Sequence, residues 1–309
     1  MSGAIHVGTC SWADPGFVAE WYPQGMPARE RLAYYAQRFD AVEVDSPFYA
    51  IPARETVERW ARIAPSGFSF DIKLPRLLSR HATPVESLPP DLRERATVNS
   101  RGRVVRDGAI EAAVAERTLE ALAPLIEDGK LSSLLLQLTP AFRPDRNELS
   151  ELDPLLARLA PHTVAIELRH RAWVSGERAA ATLDHLAERG AAFVCVDAPR
   201  GEAPTMMPPL DAVTSPKLAY LRAHGRDAHA FLHGTTVAER FAWSYSDDEL
   251  GEIRGRVEDL AAQAQDVRTM FNNNRGRDAP DSARRMRELL GQDPGPPVRP
   301  AGPAQQSLL

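Results

Sequence analysis

The sequence predicts a single-domain α/β protein folded as a TIM-like (β/α)₈ barrel with parallel strands. Eight short apolar runs occur along the chain, and helix-like segments separate most of them. This alternation is typical of a parallel sheet, and eight repeats favour closure into a barrel. No GxGxxG motif follows the first run, which disfavours the dinucleotide-binding version of an open doubly wound sheet.

The predicted elements follow one another in a regular order. Strands are expected at residues 5–9, 41–45, 68–73, 133–138, 163–168, 192–197, 217–224 and 267–272. Helices are expected at residues 29–38, 55–64, 111–127, 148–159, 177–189, 247–263 and 281–290. Ser246, with Glu249 three residues later, fits a capping box at the start of the sixth helix.

Residues 1–290 are expected to form the barrel domain, and residues 291–309 a disordered tail. The tail is rich in Pro, Gly and Gln and has few groups that a core would bury. Two long interruptions lie within the domain: a Pro- and Arg-containing insertion at 74–110 and a Pro-rich loop at 198–216. Loops of this length are usually functional or disordered.

Composition and charge argue against several classes of protein. With 309 residues, 43% of them hydrophobic, the chain is long enough for one large core. Its net charge of -5 gives no indication of nucleic acid or an anionic membrane as partner. Without a signal peptide or an apolar run of about 18 residues, no membrane span is predicted and the cytoplasm is the expected location. The oligomeric state is left open.

Polar side chains gather near the carboxyl ends of the predicted strands. Because side chains alternate across a strand, residues of one parity face the barrel interior. That inward set contains Glu43, Asp45, Asp71, Lys73, Glu167, Arg169, Tyr220, Arg222 and His224, and Gln137, Asp197 and Asn272 end three further strands. Barrel enzymes build their sites at this mouth, so a site is expected here. The alternative is a set of buried salt bridges that fill the barrel.

Several motifs then resemble one family. They are GTCSW (8–12), WYP (21–23), RLAYYAQRFDAVEVDSPFY (31–49), KLP (73–75), LLLQLTPAF (134–142), AIELRHRAW (165–173), YLRAHG (220–225), YSDDEL (245–250) and FNNN (271–274). In this order they resemble the family called domain of unknown function 72, or YecE-like, from about residue 5 to 290. The resemblance implies a TIM-barrel-like fold and adds no defined chemistry. Ser46-Pro47 and QLTP (137–140) depart from the family's usual pattern.

The resemblance also supports the predicted site residues. It extends to Trp12, Glu43, Asp45, Ser46, Phe48, Tyr49, Lys73, Gln137, Glu167, Arg169, His170, Trp173, Asp197, Arg222, His224 and Asn272. Among these, Glu43, Glu167 and Asp197 are the candidate catalytic residues. The candidate substrate-binding residues are Trp12, Asp45, Tyr49, Lys73, Gln137, Arg169, His170, Trp173, Arg222, His224 and Asn272.

The first interpretation of this set is a hydrolase- or isomerase-type enzyme that needs no metal. Glu43 and Glu167 would serve as general acid and base if the pocket separates their pKa values. Lys73, Arg169 and Arg222 would hold an anionic group, and the aromatic residues Trp12, Phe48, Tyr49 and Trp173 would face a ring or a sugar. The expected ligand is therefore small and polar, either anionic or sugar-like.

Two other interpretations stay open. A divalent metal, held by Glu43, Glu167, His170, Asp197 and His224, would suit an isomerase or a phosphoesterase, although no HxH or HExxH spacing occurs and no cofactor is evident. The same pocket would also suit a non-catalytic binding or regulatory protein.

Other polar residues are expected outside the site. Cys10 and Cys195 are expected to be buried, Asn274 to lie in a turn, and His6, His81, His162, His185, His229 and His233 to lie on the surface or in loops.

Overall fold

Eight parallel strands form one sheet in the computed structural model, which describes residues 2–273 and 275–298. The strands are β1 (Ala4–Thr9), β2 (Ala41–Val44), β3 (Ser69–Lys73), β4 (Leu131–Gln137), β5 (Val164–Glu167), β6 (Ala192–Asp197), β7 (Leu218–Ala223) and β8 (Asp266–Phe271). Their order, β1-β8-β7-β6-β5-β4-β3-β2, makes a nearly closed barrel with helices between the strands. The predicted TIM-like fold is confirmed.

Helices surround this sheet. They are α1 (Pro15–Glu20), α2 (Ala28–Ala36), α3 (Arg54–Ile63), α4 (Pro90–Arg95), α5 (Gly108–Glu127), α6 (Asp153–Leu159), α7 (Arg178–Glu188), α8 (Ala228–His233), α9 (Val237–Arg240), α10 (Asp247–Ala261) and α11 (Asp278–Leu289). The capping box of α10 is present, with Ser246 accepting from the Glu249 amide. The short helices α1, α4, α8 and α9 were not predicted, because four to six residues carry too little of a 3.6-residue period. Within the described residues, no helix is long and apolar enough to cross a bilayer.

Tyr35 of α2 joins the two ends of the strand order, β1 and β2. Its buried hydroxyl accepts a hydrogen bond from the Thr9 amide at 2.9 Å and donates one to the Ala41 carbonyl at 3.1 Å. A Cβ at Gly8 would lie 2.2 Å from the same Ala41 oxygen, so this close approach requires glycine. The Tyr35 hydroxyl therefore bridges β1 and β2, and Gly8 allows the two strands to approach closely.

A layer of polar pairs fills the barrel towards the amino ends of its strands. Asp71 accepts from the Ser133 hydroxyl at 2.6 Å, and Arg268 lies 3.7 Å from the same carboxylate. Arg268 also donates to the hydroxyls of Ser69 and Ser132. These side chains are paired with one another, and the cavity described below opens at the carboxyl ends instead.

The two long interruptions differ in structure. The insertion contains α4, a 3₁₀ helix at Val85–Ser87 and isolated bridges at 84/103 and 98/104, and it is tied to α5 by an Arg80–Glu111 ion pair of 2.7 Å. Residues 198–216, all of them described, form neither helix nor strand.

Only the first part of the predicted tail belongs to the described residues. There Gln292 donates to the Ile5 carbonyl at 2.8 Å. Residues 299–309 and Asn274 lie outside the described residues. The predictions of a disordered tail and of a turn at Asn274 therefore stay predictions.

Replacing Tyr35 with Phe tests the closure of the barrel. The Thr9 amide and the Ala41 carbonyl lose their shared partner, so we expect the free energy of unfolding to fall by about 1–3 kcal/mol. Tyr34→Phe is the matched control, because the Tyr34 hydroxyl is buried without a hydrogen-bond partner among the described residues. Urea denaturation measures both variants, and equal losses would contradict the role given to Tyr35.

Candidate functional site

Arg222 of β7 lies at the centre of the barrel with its side chain fully buried. Its Nε and Nη2 donate to the two carboxylate oxygens of Glu43 from β2, at 2.9 and 2.5 Å. Its Nη1 donates to Glu167 of β5 at 2.5 Å. Both acids are buried as well, so one guanidinium binds two carboxylates that come from different sides of the barrel.

Glu43 lies deepest in this group. Besides Arg222, it accepts a hydrogen bond from the Tyr220 hydroxyl at 2.8 Å. Burial raises the pKa of Glu43 to about 7, although the charge of Arg222 acts in the opposite direction. The sequence placed Glu43 correctly on the inward parity, but its side chain has no exposed surface and does not line the cavity above it.

Glu167 connects the buried group to the cavity. Its neighbour in register, Gln137 of β4, donates to it at 2.9 Å, and Arg169 approaches it at 3.4 Å. Burial acts to raise the pKa of Glu167, but Arg222, His224 and Arg169 outweigh burial and hold it well below its usual range. Glu167 is thus a carboxylate that positions Gln137 and Arg169, both of which line the cavity.

His224 is neutral and has a defined tautomer. The Asn272 amide nitrogen lies 3.0 Å from Nδ1, so Nδ1 accepts and Nε2 carries the hydrogen. Nε2 in turn donates to Glu167 at 3.2 Å. Burial lowers the pKa of His224 to about 4, against the attraction of Glu167. Both ring nitrogens are therefore engaged by protein groups.

A cavity of about 610 Å³ lies above these buried residues, at the carboxyl ends of the strands. Six of the predicted site residues line it: Asp45, Tyr49, Lys73, Gln137, Arg169 and Asn272. The cavity is also lined by residues that are not among the predicted site residues: Arg76, His81, Ala82, Thr139, Pro140, Thr205, Phe231, Val237, Arg240 and Phe241. The inward-facing residues of the strands predicted where the cavity lies, and loop residues form the rest of its walls.

Cations gather on the β2–β3 side of the cavity. Lys73 is nearly buried, lies 3.4 Å from Asp45 and stands 4.7 Å from the centre of the Phe48 ring. The Arg76 guanidinium lies 5.2 Å from the same ring and 4.9 Å from that of Tyr49. Contacts at these distances between cations and aromatic faces hold the charges at the cavity without neutralising them.

His81 is a site residue that sequence reasoning placed on the surface or in a loop. It belongs to the insertion, but its ring lines the cavity and packs edge-on against Phe48 at 5.0 Å. Its Nε2 lies 3.3 Å from the Gln137 carbonyl. No periodicity extends through the insertion, so the sequence held no signal that would have directed His81 inward.

Three predicted aromatic and histidine contacts lie elsewhere. Trp12 packs edge-on against Trp60 of α3, at 5.3 Å between ring centres, on the outer side of the sheet. Trp173 is buried, stacks on Phe142 and donates to its carbonyl at 2.8 Å, as a core residue does. His170 caps the 3₁₀ helix Arg171–Val174 by accepting from the Ala172 amide. The structure does not bring these three residues to the cavity.

Asp197, a predicted catalytic residue, also lies outside the mouth cavity. Its carboxylate accepts from both sides of the Arg226 guanidinium at 2.9 and 2.8 Å, and from Arg256 at 3.0 Å. The Tyr245 hydroxyl donates to it at 2.8 Å. These partners come from loops and a helix far along the chain, and together they occupy both carboxylate oxygens in a structural ion-pair network.

The five residues considered as metal ligands do not form one group. Glu43 and Glu167 are bound to Arg222, and His224 contacts Glu167, whereas His170 and Asp197 have the separate partners described above. Across residues 2–273 and 275–298, no group of three or more His, Cys, Asp or Glu side chains is arranged to hold a metal ion.

The nearly closed barrel and the polar cavity at its carboxyl ends define the class: this is a TIM-barrel-like protein. A family model described as "Protein of unknown function DUF72" matches residues 6–307, and the chain belongs to that family. The predicted resemblance is thereby confirmed.

Relatives and solved structures agree with this assignment. UPF0759 protein YunF of Bacillus subtilis (strain 168) is 27% identical over 293 residues, covering 93% of this chain and 94% of that protein. UPF0759 protein YecE of Escherichia coli (strain K12) is 32% identical over 78 residues, or 25% of this chain and 26% of that protein.

Crystal structures of DUF72 family proteins share the fold. The one from Enterococcus faecalis V583 has a TM-score of 0.74 at 25% identity and covers 94% of this chain and 99% of its own. The one from Thermotoga maritima MSB8 has a TM-score of 0.75 at 24% identity and covers 94% of this chain and 100% of its own.

Replacing Arg222 with Met tests the central group. Two buried carboxylates then lose their shared cation, and we expect the free energy of unfolding to fall by about 3–5 kcal/mol. Combining Arg222→Met with Glu43→Gln and Glu167→Gln removes all three charges and should recover at least half of that loss. Chemical denaturation at pH 7 measures both proteins. A loss below about 1 kcal/mol for the single variant would contradict the arrangement.

The pH dependence of stability tests the neutral state of His224. Its folded pKa of about 4 is below the unfolded value, so its contribution is present above pH 6.5 and is lost as pH falls towards 4. Between pH 6.5 and 4 the unfolding free energy of the wild type should fall by on the order of 3 kcal/mol more than that of His224→Gln.

A control and an opposing effect accompany this measurement. The raised pKa of Glu43 works in the opposite direction, favouring the folded state as pH falls from 7 to 4.5, but it is present in both proteins and cancels in their difference. His233→Gln, at an exposed position of α8, should retain the wild-type slope. Identical slopes for the wild type and His224→Gln would show that His224 is not held neutral.

Proposed function

We propose that this protein is an enzyme of the hydrolase or isomerase type that binds a small anionic or sugar-like compound in the mouth cavity and acts on it by proton transfer. One observation carries the proposal: among the described residues, the cavity is lined by the cations Lys73, Arg76, Arg169 and Arg240 and by one carboxylate, that of Asp45. An excess of positive charge in a concave site attracts an anion.

The cations retain unused hydrogen-bonding capacity. Within the described part of the chain Arg169 makes one long contact, the 3.4 Å approach to Glu167, although a guanidinium carries five N–H donors. The Nε of Arg76 is buried without a hydrogen-bond partner among the described residues. A desolvated donor without a partner is costly, so a bound anion that accepts from it would be stabilised.

The walls of the cavity favour a ligand with a ring or a sugar face. Phe48 and Tyr49 lie on the β2 side, and Phe231 and Phe241 lie opposite them in the segment 226–243 that contains α8 and α9. Tyr49 is 55% exposed although Arg76 lies 4.9 Å from its ring centre, so part of the ring surface is open to a ligand. Phe241 also packs on His224 at 5.4 Å.

Carboxylate acid–base chemistry is supported in two ways. Asp45 reaches the cavity and lies 3.4 Å from Lys73, so a carboxylate and an ammonium group stand side by side at its edge. Glu167 contacts Gln137 and Arg169, and through them it orients two groups that would touch the ligand. Glu43 supports the same arrangement by sharing Arg222 with Glu167.

Binding measurements on cavity variants test the proposal. Isothermal titration calorimetry with inorganic phosphate, sulfate, small carboxylates and sugar phosphates should reveal binding to the wild type. Arg169→Ala and Lys73→Ala should each weaken it about 10- to 100-fold, since hydrogen bonds to charged groups contribute about 1.5–3 kcal/mol.

The matched control is Arg62→Ala, which removes the same charge from an exposed position at the end of α3 that precedes β3. It should bind as the wild type does. If Arg169→Ala and Lys73→Ala leave the affinity for every ligand found unchanged, the cavity is not the anion site. A turnover assay on the ligands that bind then separates an enzyme from a binding protein.

A further inference from the structure

His81 has a titratable side chain that lines the cavity, and it is not among the predicted site residues. It follows β3 in the insertion, and its ring lies against Phe48 within the cavity wall. The other histidine near the cavity, His224, has both ring nitrogens bound by Asn272 and Glu167. Glu43 and Glu167 are buried, and both are bound to Arg222. His81 therefore differs from these groups in its access to a ligand.

The tautomer of His81 follows from its one hydrogen bond. A carbonyl oxygen accepts and never donates, so Nε2 must carry the hydrogen that points to the Gln137 carbonyl. Nδ1 then has a free lone pair. No protein group among the described residues binds Nδ1, and it is not one of the sealed polar atoms of the structure. The ring thus presents a proton acceptor that is accessible.

Positive charges surround this acceptor. Burial lowers the pKa of His81 to about 4, and Lys73, Arg169 and Arg76 lower it by repulsion, while the Gln137 carbonyl opposes them. Asp45 and Arg240 are the other charged groups that line the same cavity. An anion bound among the three cations would cancel their repulsion, and the imidazole would become a stronger base when the ligand is present.

We propose that His81 is a catalytic base of the mouth cavity, which takes a proton from an anionic ligand held by Lys73, Arg76 and Arg169. In this step a C–H or O–H bond of the ligand breaks and an N–H bond forms at Nδ1. The electron pair of the broken bond stays on the ligand, so the imidazolium gains the positive charge that balances it. The inference rests on the proposed function, because it requires an anion in the cavity.

Histidine NMR with inorganic sulfate as the probe tests this inference. Sulfate suits the experiment because its charge stays constant while the imidazole titrates. In protein labelled at histidine, between pH 3 and 8 and at low ionic strength, saturating sulfate should raise the pKa of His81 by at least one unit. That shift corresponds to a tenfold gain in proton affinity and, by linkage, to tenfold tighter sulfate binding to the protonated ring.

Internal and variant controls accompany the titration. The pKa of His162, at the amino end of β5, is lowered by burial alone, so sulfate should leave it unchanged. Arg169→Gln should raise the pKa of His81 without sulfate and reduce the effect of sulfate, whereas the exposed Arg62→Gln should do neither. His81→Gln retains a donor towards the Gln137 carbonyl and should lose the pH dependence of sulfate binding below pH 6.

The outcomes separate this inference from the proposal on which it rests. If calorimetry shows sulfate binding that Arg169→Gln weakens, but the pKa of His81 stays fixed, the cavity binds anions and His81 is not their base. Equal shifts at His81 and His162 would also overturn the inference. If neither sulfate nor any other anion binds to the wild type, the proposed function fails and the role of His81 fails with it.

Discussion

The buried charge of Arg222 constrains the structure more than the charge of any other side chain among the described residues does. A guanidinium sealed inside a barrel is stable only if anions lie against it, and each of those anions needs its own partners in turn. Glu43 and Glu167 supply the negative charge from β2 and β5, and Tyr220 and Gln137 supply further donors. Strands that are distant in the sheet are thus held together by a single side chain, and the floor of the cavity is fixed by electrostatics as well as by apolar packing.

This arrangement determines what remains for a ligand. Because Arg222 occupies the inner carboxylates, the cations nearer the mouth have few anionic neighbours: Lys73 has Asp45, and Arg169 has a long contact with Glu167. The buried layer of Glu43, Glu167 and Arg222 is therefore acidic, and its charges are paired. The layer nearer the mouth, with Lys73 and Arg169, is basic, and its charges are incompletely paired. The same inward-facing residue pattern therefore produces two layers of opposite character, of which the outer one is available for chemistry.

Local patterns were sufficient to predict the barrel and the column of inward side chains, since both follow from strand periodicity. The alternation of side chains along the strands correctly predicted that Arg222, Glu43 and Glu167 face the barrel interior. It did not indicate which of them would be buried away from the cavity. Asp197 also ends a strand, but Val196 is the residue in register with Arg222, so Asp197 faces outward, where Arg226 and Arg256 bind it. Such pairings depend on where loops and helices meet, which periodicity does not encode.

The loops therefore determine which further side chains lie beside the strand charges at the cavity. The insertion brings His81 and Arg76 to one side of the cavity, and the segment 226–243 brings Phe241 and Arg240 to the other. Replacing Glu43, Glu167 or Arg222 disturbs the buried charge balance, whereas these loop residues, all of them described, make no ion pair with that group. Substitutions in the two loop segments should therefore change the ligand preference of this protein at a smaller cost in stability than substitutions in the Glu43–Arg222–Glu167 group.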